Sequence, residues 1–411
     1  MKKFNISRKG LRKLSLVMVT TFMAINMTAC ATFDNFKNTF IADDSAQTEA
    51  TVKIGVFEPM SGKDKDKGQL EVMGIELAHE LFPTALGKKV ELVYGDNKSD
   101  MYVAESIAKE LVDKKVSIVL GSYGSSNSLI AVKTFEEAKI PAIAITNTNP
   151  LVTSYNPFYF RVCLLESFQG VALAKYAVEE MGALTTAIMT EANDDFATAI
   201  ANTYYDQFIR RTENSNALLV SCDYKEGDTD FTEPLKKIKE AQPDVVFLPA
   251  DAEQSALILK QAKKMGITSV FLGTDRWDTE EFAVQMTLAG VENVSFATIF
   301  DPETSTTSMS DSFLRAYQAK YGADSVPDSA TALGFDAYLI AIDALNKAGV
   351  AYDGEKIRNC IAYTQSFPGA SGNITFDVNG DPIKSVVVKT VSGGAVESIY
   401  TMEPQVGQTA E

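Results

Sequence analysis

Val52-Lys53-Ile54-Gly55-Val56-Phe57 is a short run rich in β-branched and aromatic residues, and its place at the head of a long alternation decides the fold. An amphipathic helical stretch comes next, near residues 70–81, then a second strand-like run at 89–94 and a helical one at 101–112. The pattern continues as strand 116–120, helix 129–138 and strand 141–145. Strands separated by helices of this length predict βαβ units, and hence a parallel sheet with helices on both faces. After Phe158-Tyr159-Phe160-Arg161-Val162 the alternation starts again: helix 168–181, strand 186–189, helix 197–210 and strand 218–222. Asp230 and Glu233 are spaced as a capping box for the next helix, which precedes strand 245–248, helix 255–265 and strand 270–272. Two successive sheets of this kind exceed what one hydrophobic core usually holds, so the expected class is α/β, with two doubly wound parallel-sheet lobes. The last third, with helices near 310–321, 330–348 and 355–362 and strands at 374–376, 385–391 and 396–400, is read as a return to the first lobe and then to the second.

The N-terminal segment settles a different question. Six basic residues (Lys2, Lys3, Arg8, Lys9, Arg12, Lys13) precede a 12-residue apolar run at 14–25, too short to span a bilayer but suited to a secretory signal. Met27-Thr28-Ala29-Cys30 comes after it, and this order resembles a bacterial lipobox, although Met27 stands where Leu is commoner. The expectation is a signal peptide over 1–29, a diacylglyceryl-modified Cys30, and a tether over 30–50 in which Phe33, Phe36 and Phe40 recur at helical spacing. An uncleaved anchor with an incidental cysteine is the alternative. One diacylated cysteine carries two acyl chains, enough for stable anchoring to the outer face of the cytoplasmic membrane.

Loss of residues 1–29 removes six bases and no acid, leaving 32 Lys+Arg against 54 Asp+Glu, a formal charge of −22. So acidic a chain is poorly suited to nucleic acid or to electrostatic docking on anionic lipid. Cys163, Cys222 and Cys360 make no closed disulfide framework and are read as small core hydrophobes. His79, the single histidine, falls off the apolar stripe of its helix and is read as solvated. With one histidine and no Cys-x-x-Cys pair, metal sites and Ser-His-Asp or Cys-His chemistry have almost no residues to draw on.

Open α/β sheets bind ligands at the carboxyl ends of their strands, where loops feed helix N-termini. Three loops there are candidates. Gly121-Ser122-Tyr123-Gly124-Ser125-Ser126-Asn127-Ser128 offers hydroxyls and backbone N–H groups suited to a ligand carboxylate. Thr146-Asn147-Thr148-Asn149-Pro150 offers more of the same. In the second lobe, Gly273-Thr274-Asp275-Arg276-Trp277-Asp278 places Asp275 where it can pair with a ligand ammonium, and Trp277 either walls the pocket or belongs to the core. Ser, Asn and Gly also gather at such turns for capping alone. No Gly-x-Gly-x-x-Gly follows the first strand and no phosphate loop is present, so no nucleotide cofactor is expected.

These stretches carry a resemblance. Ile54-Gly55-Val56 with Pro59-Met60-Ser61-Gly62, the 121–126 loop, Thr148-Asn149-Pro150, Phe160-Arg161, Gly227-Asp228-Thr229-Asp230-Phe231, Gly273-Thr274-Asp275-Arg276-Trp277, Gly334-Phe335-Asp336-Ala337 and Gly372-Asn373-Ile374-Thr375-Phe376-Asp377 occur in one order. Together they resemble the leucine/isoleucine/valine-binding protein family, the type I periplasmic-binding fold of ABC importers, over nearly all of 52–400. The resemblance implies three hinge crossings, placed near Val162, 297–300 and 370–372. Lobe 1 would then hold 51–162 and 301–370, lobe 2 163–300 and 371–400, with a tail at 401–411.

By that resemblance, Ser125, the Thr146 carbonyl and Thr148 would take the carboxylate and ammonium of an amino acid, with Tyr123 in the same loop. Asp275 would grip the ammonium on closure, and Phe196 would cover the ligand. Family members often carry tyrosines where this chain has Lys67 and Asp251. Either those charges turn the pocket toward a polar or charged ligand, or they lie at the cleft rim. The expected function is a monomeric, lipid-anchored, non-enzymatic solute-binding protein that delivers an amino acid to ABC permease and ATPase subunits. A sensor using the same fold to report ligand to a signalling receptor is the alternative.

Overall fold

The computed structural model describes residues 51–302, 307–392 and 395–402. The signal segment, Cys30 and the tether lie outside the described residues, as does most of the expected tail. The first sheet comprises β1 (Thr51–Glu58), β2 (Thr84–Ala85), β3 (Lys88–Asp96), β4 (Ile118–Gly121), β5 (Ala142–Ala144) and β6 (Tyr159–Arg161), in the spatial order β2-β3-β1-β4-β5-β6. All its pairings are parallel except that of the two-residue β2 with β3. The crossover helices are α1 (Lys65–Leu81), α2 (Met101–Asp113) and α3 (Ser125–Glu137).

The second sheet contains β7 (Thr186–Glu191), β8 (Leu218–Tyr224), β9 (Val245–Phe247), β10 (Val270–Gly273) and β11 (Val294–Thr298). These strands are connected through α5 (Asp195–Thr212), α6 (Thr232–Ala241), α7 (Ala252–Met265) and α8 (Glu280–Ala289). α4 (Glu166–Lys175), which runs on into a π-helical turn at Tyr176–Glu180, leads into it. Sequence patterning missed α8 and β11. It also placed the Asp230 cap one residue off: that carboxylate accepts the Thr232 N–H at 3.0 Å and its hydroxyl at 2.6 Å, and makes no capping box with Glu233.

The chain then returns through α9 (Ser308–Tyr321), α10 (Ser329–Ala348) and α11 (Gly354–Ala362) to a small antiparallel sheet of β12 (Phe367–Gly369), β13 (Gly372–Phe376) and β14 (Pro382–Ile383). β15 (Val386–Ser392) and β16 (Ala395–Met402) complete the second sheet, with β15 antiparallel to β11. The chain passes from this small sheet to the second large sheet after Ile383. Residues before it stay with the first sheet for a specific reason. The Gly380 carbonyl accepts the Arg161 N–H at 3.1 Å, and the Asp381 carboxylate pairs with the fully buried Arg161 guanidinium. That guanidinium also donates to the Asn147 carbonyl and the Thr153 hydroxyl, each at 2.6 Å.

α10 is buried on nearly all sides, as expected of a helix apolar around its circumference. It crosses α1 so closely that a Cβ on Gly74 would lie 2.0 Å from the Thr331 carbonyl oxygen, and one on Gly334 2.2 Å from that of Glu71. His79 is half-buried rather than solvated: its Nε2 lies 3.1 Å from the Val90 carbonyl, and its ring meets Tyr338 edge-on. Cys163, Cys222 and Cys360 are free thiols, the first two buried. No helix among the described residues is long and apolar enough to cross a membrane.

Gly74→Ala is expected to destabilise the protein by about 1–3 kcal/mol, because the methyl group meets backbone that no rotamer change can clear. Denaturant unfolding monitored by circular dichroism checks this; an unchanged midpoint would mean that the helices are not in backbone contact.

Candidate functional site

In each large sheet the strand order reverses at one point: between β1 and β4 in the first, between β7 and β9 in the second. The carboxyl ends beside such a point are where an α/β sheet opens a crevice. A depression of about 1040 Å³ lined by Lys53, Lys115, Lys139 and Glu355 lies at the opposite, amino ends of the first-sheet strands, away from either crevice.

On the first-lobe face, β1 ends at Glu58 and β4 at Gly121, and the 122–128 loop comes next. Gly121 has φ +108°, and a Cβ there would lie 2.3 Å from Glu58 Oε1, so only glycine fits. The loop is tied internally: Asn97 donates to the Ser122 hydroxyl at 2.7 Å, and the Ser128 hydroxyl to Asn147 Oδ1 at 3.2 Å. Glu58 Oε2 accepts the Tyr123 N–H at 2.6 Å. Ser125 is the first residue of α3 and partly exposed; Gly124 offers no side-chain cap, so the Ser125 and Ser126 N–H groups lack an intrahelical acceptor, while those of Asn127 and Ser128 donate to the Gly124 carbonyl. The Thr146 hydroxyl donates to Glu71 of α1. Thr148 is partly exposed in the same loop. Upstream, Asp96 accepts from Met60 N–H (2.9 Å), Ser61 N–H (3.2 Å) and Ser61 hydroxyl (2.6 Å), which accounts for the Pro59–Gly62 motif.

On the second-lobe face, Asp275 comes after β10 and its N–H donates to Gln169 Oε1 at 3.1 Å. Protein surrounds its carboxyl on most sides, and this burial pushes the pKa up to about 6 against the pull of Gln169 and Arg276. Arg276 stacks on Phe196, its guanidinium carbon 3.7 Å from the ring centroid, and its Nη1 donates to Asp194 (3.1 Å) and Asp251 (3.0 Å). Burial works against the guanidinium charge, but Asp251 and Asp194 outweigh it and hold its pKa up. Nε and Nη2 have no hydrogen-bond partner among the described residues. Asp194 also caps α5 through the N–H groups of Phe196 and Ala197. Burial, then Asp194 and Asp251, raise Glu191 beside it, so this face carries a local excess of acid around one arginine.

Tyr123 from the first lobe lies in the field of Asp251 and Arg276 from the second, and burial raises its pKa. Of the residues expected at the site, Phe196 and Asp251 are brought together by Arg276, the sequence neighbour of Asp275. Two are placed otherwise. Trp277 is fully buried: its Nε1 donates to the Ala250 carbonyl at 2.9 Å and its ring packs on Phe282 and Gly273, so it supports the Asp275 loop from beneath instead of walling the cleft. Lys67 is exposed in the first turn of α1, where its charge acts on Asp328. Asp251 is also largely exposed, but it reaches Arg276. Sequence reasoning assigned no role to Glu58, Glu71, Asp194, Gln169 or Arg276. Glu58 could have been noticed as an acid closing an otherwise apolar central strand; the others carry no such mark.

Comparison with known proteins agrees with this geometry. A family model described as periplasmic binding protein matches residues 51–395. A leucine-, isoleucine-, valine-, threonine- and alanine-binding protein of Pseudomonas aeruginosa is 26% identical over 344 residues, covering 80% of this chain and 87% of its own length. Among solved structures, a leucine-binding protein LivK from Thermotoga maritima superposes with TM-score 0.77 at 35% identity, over 86% of this chain and 99% of that one. The branched-chain amino acid transporter substrate-binding protein LivJ from Streptococcus pneumoniae, solved with isoleucine, gives 0.76 at 29% identity, over 86% and 100%. Proteins of this kind are extracytoplasmic, non-enzymatic substrate-binding components of ABC transporters. The chain belongs to the periplasmic binding protein family, alongside its Leu/Ile/Val-binding members.

Proposed function

We propose that this protein is a lipid-anchored solute-binding component of an ABC importer that captures an amino acid between its lobes and presents it to the permease. The observation that supports the reading is the buried Asp275 at the end of β10, beside an Arg276 whose charge, with that of Asp251, reaches Tyr123 in the loop after β4. Lobe 1 would be built on 51–162 and 301–383, and lobe 2 on 163–300 and 384–402. Ser125 and the N-terminal N–H groups of α3 receive the ligand carboxylate; the Thr146 carbonyl, Thr148 and Asp275 receive the ammonium. Ligand favours the closed form only through contacts that both lobes make at once, so Asp275 contributes to closure as well as to affinity.

The side-chain end of the pocket faces Phe196, Tyr123 and the free N–H groups of Arg276. An uncharged side chain with a hydrogen-bond acceptor suits it: the acid excess around Arg276 repels a carboxylate, and a purely aliphatic chain offers no acceptor to Arg276 Nε and Nη2. Thermal unfolding against the twenty amino acids, after refolding to strip carried ligand, tests this. A ligand at a hundred times its Kd adds about 2.7 kcal/mol and raises the midpoint by several degrees. Glutamine or asparagine is expected to give the larger shift, and Arg276→Met is expected to move the preference toward leucine and isoleucine. Branched-chain shifts in the unaltered protein would return the pocket to the aliphatic class, and no shift from any amino acid would remove the amino-acid reading.

Asp275→Asn is expected to weaken binding by about 2 kcal/mol or more, roughly thirtyfold, since it leaves the ligand ammonium without its counter-charge. A bound ammonium lowers the Asp275 pKa from about 6, so affinity should be full above that pH and fall as pH drops through it. Calorimetric titration between pH 5 and 8 checks both, and a flat profile would remove Asp275 from the ammonium site. Cys30→Ser is expected to move the protein from the membrane to the soluble extracytoplasmic fraction; persistence in the membrane would overturn the lipid anchor.

A further inference from the structure

Beneath the first-lobe face lie two carboxyl groups that the ligand reading does not use. Glu58 closes β1, Glu71 projects from α1, and both are 0% exposed. Glu58 Oε2 accepts the Tyr123 N–H and Glu71 Oε1 accepts the Thr146 hydroxyl, so each acid holds one ligand loop. The other oxygen of each, Glu58 Oε1 and Glu71 Oε2, is buried with no N–H or O–H partner among the described residues. Each carboxyl has the other within reach. The titratable groups facing them are Tyr123 from the β4 loop, Tyr159 from β6, Cys163 after β6, and Asp328 before α10; none is cationic.

Two ionised carboxylates cannot share a dry site without a counter-charge, whereas a single proton between them turns both orphaned acceptors into one O–H···O bond. We propose that Glu58 and Glu71 hold one proton between them and act as positioning residues, which fix the Tyr123 and Thr146 loops in register with each other. That these loops receive a ligand rests on the function proposed above; the shared proton does not. Burial raises Glu58 well above the usual carboxyl range and Glu71 to about 7, in the proton-holding direction. Because the folded-state affinity for protons exceeds that of the unfolded chain, the pair's contribution to stability is full below about pH 4.5, falls as pH rises through about 7 where Glu71 ionises, and is lost once Glu58 ionises as well. With both ionised the pair is a repelling dianion and its hold on the loops weakens.

The test needs no ligand. Infrared difference spectra at pH 6, unaltered protein minus variant, are expected to show the loss of one band from a buried un-ionised carboxyl in both Glu58→Gln and Glu71→Gln, with the contributions of Asp275 and Asp328 cancelling. In either variant the amide supplies the hydrogen, and the remaining acid ionises. Loss in only one variant would mean an ordinary protonated acid, and no loss in either would mean no retained proton; either result overturns the proposal. Hydrogen exchange reports the positioning. Relative to Glu71→Gln at each pH, peptides over 121–128 and 146–149 should exchange faster above the pair's titration, by up to about tenfold per pH unit. Equal profiles, or a Glu71→Ala profile matching Glu71→Gln, would reduce the pair to passive packing. A failed amino-acid screen would sink the ligand reading and leave these outcomes unaffected.

Discussion

The backbone contact between α1 and α10 constrains most of what lies above it. Glycine at 74 and 334 lets the two helices approach until carbonyl oxygens sit where side chains would be. That approach fixes the height of α1 against the first sheet, and α1 carries Glu71 inward toward β1 and the Thr146 loop. A wider spacing would pull Glu71 away from Glu58 and leave both carboxyls without their mutual contact. α10 also bears Asp336, whose carboxylate accepts the N–H groups of Ala370 and Ser371 and the Ser371 hydroxyl, with the buried Lys384 completing the cluster. One helix therefore sets both the floor of the first-lobe face and the segment from which the chain departs for the second sheet.

Arg161 serves the neighbouring edge in a similar way. Its buried guanidinium joins Asp381, Thr153 and the carbonyls of Asn147 and Pro150, so the ligand loop after β5 is held by a segment more than 200 residues later in sequence. A buried ion pair contributes little net stability against an apolar alternative, but loss of one partner strands the other's charge. Its value here is geometric: a planar fork of donors fixes loop and edge strand together.

The second-lobe face is organised differently. Asp194 caps a helix, Asp251 precedes another, and both turn toward Arg276, which lies flat on Phe196. The arginine is thus held from two sides by carboxylates and beneath by a ring, which restricts its rotamers. A tyrosine from the opposite lobe lies within the field of this arginine and of Asp251.

Much of this architecture was legible in the chain before it folds. Alternation of β-rich runs with amphipathic helices states a parallel α/β arrangement, because strand and helix periods differ and each run has to bury one face. The glycine- and serine-rich turns marked the correct ends of the strands, and Asp275 stood out as an acid at one of them. Periodicity passed over α8 and β11, where the helix is short and the strand carries Ser and Thr. It also misread Trp277 and His79, since exposure is a property of neighbours from other segments. The class of fold and the strand-end loops could be read from order and composition, because both depend on local pattern. The meeting of Arg276 with Asp194, of Glu58 with Glu71 and of Asp381 with Arg161 could not, because those pairs are 82, 13 and 220 residues apart along the chain and are joined only by packing.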